Sequence, residues 1–124
     1  MPKSIIIEKN GGPEVLKLKD VKIGSPGPNE IKVTNHAIGL NYIDTYHRSG
    51  LYPLKLPIGI GLEASGKIDE VGSNVKEFNK GDNIAYASVP LGAYSEQRII
   101  PSNIAVKLPD GISYELAATL MTKG

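Results

Sequence analysis

The sequence predicts a mainly β fold with a few short helices. Fourteen glycines and nine prolines are spread along the whole chain and cut it into short segments. Several of those segments alternate apolar and charged residues, the period of a strand with one buried face. Only two stretches, 41–49 and 113–121, carry helix punctuation. With 124 residues the chain suffices for one domain with a core, not for two.

The elements follow in order. Residues 4–8 read as a first strand and Gly11, Gly12, Pro13 and Glu14 as a turn. Residues 15–21 alternate, Leu16 and Leu18 against Lys17 and Lys19, as a half-buried strand. Residues 25–29 hold two prolines and a glycine and form a loop. Residues 30–37 alternate again, Ile31 and Val33 against Lys32 and Thr34. Residues 41–49 carry few strand signals and end at Gly50, which predicts a short helix. Residues 52–57 are a proline-punctuated loop. Further strands are expected over 66–71, 82–88, 93–100 and 104–108, with Lys80, Gly81 and Asp82 turning into one of them. Pro109 and Gly111 then break the pattern. Ser113 reads as the N-cap of a last helix with Glu115 in its first turn. Leu116, Ala117, Leu120 and Met121 fall on one apolar stripe, which predicts a face in want of a partner.

Composition excludes several classes. With a net charge of +1 no strongly basic face is implied, and nucleic acid is not the expected partner. No apolar run approaches the length of a membrane span, and the three apolar residues near the start are too few for a signal peptide. There is no cysteine, so disulfides and thiolate metal sites are out, and a reducing cytoplasm is the expected compartment.

Residues 59–64, GIGLEA, match the glycine pattern of a dinucleotide-binding turn. That turn needs a strand before it and a helix after it. Here a proline-bounded stretch precedes and an apparent strand follows, so glycines in a tight β turn are the better reading.

Among polar residues, Asn41 suits a helix N-cap. Asp44 could cap or pair with Arg48 four residues on. Asp44, His47 and Glu63 could be assembled into a metal site, but a lone aspartate–histidine pair on a polar helix is usually solvated, and no metal is expected. His36 reads as structural. Glu63, set between glycines and apolar residues, reads as a buried carboxylate satisfied by hydrogen bonds.

Three stretches in order point to a family: GLNYID at 39–44, GLEASG at 61–66 followed by Val71 and Gly72, and FNKGD at 78–82. Together they resemble the N-terminal domain of the medium-chain dehydrogenase/reductase superfamily, a GroES-like, partly open β-barrel. Residues 39–52 (GLNYIDTYHRSGLY) and 115–124 (ELAATLMTKG) resemble its quinone oxidoreductase, or zeta-crystallin-like, branch. In the superfamily's zinc-dependent members a cysteine stands at the position of Asn41 and a histidine at that of Leu62; Glu63 is kept. Zinc needs three or four suitable ligands, which Asn41 and Leu62 do not supply.

The resemblance implies hydride transfer from NADPH to quinones or related conjugated carbonyls in a homodimeric protein. It implies catalytic roles for Asn41, Tyr46 and Tyr52 at the nicotinamide end of a cleft. It also implies cofactor contacts from Asn41, Tyr42, Ile43, Asp44, Thr45 and Tyr46. Family members continue into a Rossmann-type domain that this sequence lacks. Residues 1–112 are thus expected to be the GroES-like domain and 113–124 the start of a helix leading to the missing one, as in a truncated form, a proteolytic product or a pseudogene-like fragment. Two rivals are a zinc-free enoyl or alkenal reductase and a stand-alone GroES-like binding module.

Overall fold

The computed structural model describes residues 2–120. Among them the strands are β1 (Lys3–Ile7), β2 (Leu16–Asp20), β3 (Glu30–Gly39), β4 (Ile58–Gly59), β5 (Glu63–Val71), β6 (Asn83–Ala87), β7 (Gln97–Pro101) and β8 (Ala105–Lys107). Two short helices accompany them, α1 (Tyr42–Ser49) and α2 (Tyr114–Leu120). The mainly β expectation holds. A three-stranded sheet is ordered β2-β1-β4 and a five-stranded sheet β7-β3-β5-β6-β8, with every pairing antiparallel. No described helix is long and apolar enough to cross a membrane.

Each sheet carries its own apolar cluster. Ile31, Val33, Ile68, Ile84, Tyr86 and Ile100 centre the larger one, between β3, β5, β6 and β7. Ile7, Val15 and Ile60 form the smaller, with Leu16 and Tyr94 packed against it. Fully burying one such aliphatic side chain contributes about 1.5–3 kcal/mol, so these isoleucines fix which face of each strand turns inward.

Strand β3 is bulged twice against β5. Lys32 faces Glu70 but Val33 faces Ile68, which leaves Asp69 as an extra residue on β5. Asn35 faces Gly66 but Ala37 faces Ser65, which leaves His36 as an extra residue on β3. Both extra residues are used. Asp69 Oδ2 accepts from Thr34 Oγ1 and Gln97 Nε2, and His36 stacks on Tyr114 of α2 at 4.5 Å. His36 is structural, as expected.

Several expectations need correcting. β3 runs on to Gly39, and β5 begins at Glu63 rather than at Gly66, because Gly39 and Glu63 pair with each other. The strand expected over 93–100 is broken. Ser95 bridges Ser4, and the backbone of Tyr94 bonds to Ile5 and Ile60 of the small-sheet region; the regular ladder with β3 begins at Gln97. Val15 and Ile104 sit in 3-10 turns ahead of their strands. Leu18 does not share the buried face with Leu16. It is 63% exposed on β2, which pairs with β1 alone.

The last helix is capped as expected, the Leu116 amide donating to Ser113 Oγ at 3.1 Å. Its predicted stripe is different. Leu116 is about half exposed, at 46%, while Ala117 and Ala118 are buried on a helix that packs against β3 and β5. This helix therefore has a partner within the chain, and small residues supply the contact because the backbones approach closely. The side chain of Leu120 and all of Met121 lie outside the described residues.

Candidate active site

The site forms where β3 ends. Gly39 stands opposite Glu63, the first residue of β5, so the chain leaving β3 passes directly beside that carboxylate. A side chain at residue 39 would collide with Glu63 and come within 2.7 Å of the Ala118 carbonyl oxygen. Glycine is required there for close approach. Two residues on, Asn41 occupies the N-cap position of α1, and its Nδ2 donates to Glu63 Oε1 at 3.1 Å. Glu63 is only 1% exposed. The expected buried carboxylate is thus met by a side-chain amide.

Asp44 is the third residue of α1 and reaches back to accept the Asn41 backbone N–H at 3.1 Å. It is buried and also accepts from the Tyr94 hydroxyl. Its Oδ1 is buried with no hydrogen-bond partner among the described residues. The surface pairing with Arg48 is not formed. The Arg48 Nε donates instead to the Gly11 carbonyl at 3.2 Å, clamping the turn before β2 to α1. Burial, followed by the Asp44 carboxylate, pushes the Tyr94 phenol above its ordinary value. The helix closes at Gly50, whose φ of 89° ends it in the left-handed region.

Leu40, Asn41, Tyr42 and Thr45 line a cavity of about 400 Å³ at this junction. A second cavity of about 240 Å³ continues from it past Asp44, Arg48, Ile60 and Tyr94. The proposed residues thus divide. Asn41, Tyr42, Asp44 and Thr45 come together around these cavities, and the Thr45 hydroxyl donates to the Tyr42 carbonyl at 2.6 Å. Ile43 is half-buried. Tyr46 and Tyr52 line neither cavity; they form an edge-to-face pair at 5.4 Å, with His47 at 6.2 Å from Tyr52.

His47 is buried, with Nδ1 lacking a partner among the described residues, which corrects the expectation of a solvated histidine. Among the described residues no three histidine, cysteine, aspartate or glutamate side chains come together as metal ligands. The GIGLEA stretch is a turn, not a dinucleotide fingerprint. Gly61 has φ 103° and the chain passes straight into β5, with no helix N-terminus to receive a phosphate. Sequence reasoning missed Leu40 and Tyr94. Only the aromatic hydroxyl of Tyr94 could have drawn attention, since its partner lies 50 residues away.

Fold and site together define a class: an antiparallel β domain with a capping asparagine on a cavity at a strand-to-helix junction. Residues 27–110 match the family described as the alcohol dehydrogenase GroES-like domain, and the chain belongs to that family. A quinone oxidoreductase of Pseudomonas aeruginosa is 53% identical over 125 residues, covering 100% of this chain and 38% of the relative. The structure of a quinone oxidoreductase from Pseudomonas syringae pv. tomato superposes with a TM-score of 0.96 at 51% identity, covering 100% of this chain and 38% of that one. The Escherichia coli quinone oxidoreductase complexed with NADPH gives 0.91 at 50% identity, covering 94% and 36%. The chain therefore spans well under half the length of these relatives. The GroES-like fold class stands, as does the resemblance to the quinone oxidoreductase branch.

Proposed function

We propose that this chain is the acceptor-binding part of an NADPH-dependent oxidoreductase that reduces quinones or related conjugated carbonyls without zinc. The observation that carries the reading is the Asn41 side-chain amide, held by buried Glu63 at 3.1 Å on the wall of a 400 Å³ cavity. An uncharged donor fixed before reaction is suited to polarising a carbonyl oxygen that gains negative charge. The identity to quinone oxidoreductases over the full chain supports the same reading.

NADPH supplies hydride when bound. The residues at the α1 junction fit only its nicotinamide end. Asn41, Tyr42 and Thr45 offer a polar wall beside the exposed side chain of Leu40, whereas no described glycine turn opens a helix toward the phosphates. Ile43, Asp44 and Tyr46 would support this segment from within α1. Tyr52 would give ring contact on the acceptor side, an aromatic face with a polar tip suited to a quinone. In the whole protein, a homodimer, residues 1–112 would form the acceptor domain. Residues 113–124 would lead into a nucleotide-binding domain.

Steady-state kinetics of the full-length protein test this. Asn41→Ala should lower kcat for a quinone by about tenfold to a thousandfold. Tyr52→Ala should raise KM for the quinone more than for NADPH. Wild-type constants in both variants would overturn the assignment, and faster turnover of an enoyl thioester than of any quinone would replace the acceptor class.

A further inference from the structure

A third concavity adjoins the first two. The cavity beside Asn41 and the one beside Asp44 share Leu40, Asn41 and Thr45; the latter shares Leu40 and Tyr94 with a groove of about 490 Å³. That groove is larger than either. Its walls are Ile5 of β1, Leu18 of β2 and Ile38 of β3, together with Leu40 and the Tyr94 ring. Leu18 is 63% exposed, Ile38 41% and Leu40 75%. Three large apolar side chains converging on one concavity differ from apolar residues scattered singly over a surface. At its far end the groove meets charges that are already paired: the Lys3 amide donates to Glu96, and its ammonium to Asp20.

Asn41 therefore sets an amide donor at one end of this row of concavities, and apolar side chains line it from Leu40 to Leu18. We propose that the groove is a subsite for the apolar substituent of the acceptor, so that the preferred ligand is a quinone bearing an alkyl chain, its ring at Asn41 and its chain along Leu40, Ile38 and Leu18. This rests on the reading of Asn41 given above. The volume is that of a small-molecule site, and the walls it shares with the cavities beside Asn41 and Asp44, Leu40 and Tyr94, are what select a ligand carrying both a carbonyl head and an apolar tail. Each methylene withdrawn from water favours binding by about fourfold.

The test compares, on the full-length protein with NADPH, a benzoquinone without a chain and the same head bearing a decyl chain. The decyl acceptor should have the lower KM, by about tenfold or more. Leu18→Gln and Ile38→Gln, both at exposed positions, should remove most of that advantage through a rise in KM confined to the decyl acceptor. Equal KM for the two acceptors, or an advantage that survives both substitutions, overturns the proposal. If neither quinone is reduced, the reductase reading fails, and calorimetric titration with the decyl quinone decides the groove by itself. Chain-dependent binding lost in Leu18→Gln upholds it; binding that ignores the chain ends it.

Discussion

The Tyr94 hydroxyl donates to Asp44 Oδ2 across 2.5 Å, joining the segment before β7 to the first turn of α1. The same carboxylate oxygen accepts the Asn41 backbone N–H, so one group connects the loop, the helix and the backbone of the candidate catalytic residue. Tyr94→Phe removes the donor and leaves the ring in place. The variant should lose about 1–2 kcal/mol of stability, low in the range for bonds to a carboxylate because Tyr94 is only partly buried. The phenol is held above its ordinary value, so it stays protonated in the fold when the unfolded chain has lost its proton near pH 10. This stabilisation is thus complete below about pH 10 and declines as pH rises toward the folded value. Urea unfolding at about pH 8 and about pH 11 should show the gap between wild type and variant narrowing at the higher pH. A constant gap would contradict the assignment.

Asn41 and Glu63 should act as a unit. If Glu63 positions the Asn41 amide, Glu63→Ala in the full-length protein should lower kcat, and adding Asn41→Ala should cost little more. The double-mutant cycle should give a coupling of about 1 kcal/mol or above. Glu63→Gln, which keeps an acceptor oxygen, should recover part of the loss. Additive effects would mean that the two residues contribute separately.

Gly39→Ala should destabilise the protein by about 1–3 kcal/mol, because the added carbon has the Glu63 carboxylate on one side and α2 backbone on the other. A domain of this size should then melt about 4–8 °C lower for each kcal/mol lost. An unchanged Tm would show that α2 and Glu63 can give way without cost.

The 124-residue chain by itself should bind NADPH more weakly than micromolar. The phosphates carry most of the cofactor's charge, and among the described residues the one glycine pattern that resembles a phosphate turn feeds strand β5. Titration calorimetry measures this, and a micromolar or tighter constant would place a phosphate site within these residues.

How much of this was legible in the sequence depends on the range of the interaction. Helix α1, with Asn41 at its start and Gly50 at its end, was readable because capping is local. The strand cores were readable because Ile31 and Val33 repeat at the pleat. Their ends were not: Glu63 joins β5 because Gly39 lies opposite it, a partner 24 positions away. The burial of His47 and Asp44 was misjudged because a polar helix face reads as solvated until a second element is laid over it. Asp44 finds Tyr94 there, and no spacing in the chain announces that bond. The exposure of Leu18 was hidden for the converse reason. Alternation predicts two faces but does not say that both strand neighbours exist, and β2 has only one.

The two bulges between β3 and β5 have opposite sense, so they cancel. Pairing is shifted by one residue between Val33 and Asn35 and then returns to the frame set at Ile31 and Val71, the frame that brings Gly39 to Glu63. Loss of either extra residue alone would leave the remaining ladder out of phase and turn inward-facing side chains outward from that point on. An inserted or deleted residue in one of these strands should therefore survive in a lineage only with a matching change in its neighbour. Length variation among descendants of this gene should accordingly fall in the turns, or arrive in β3 and β5 as correlated pairs.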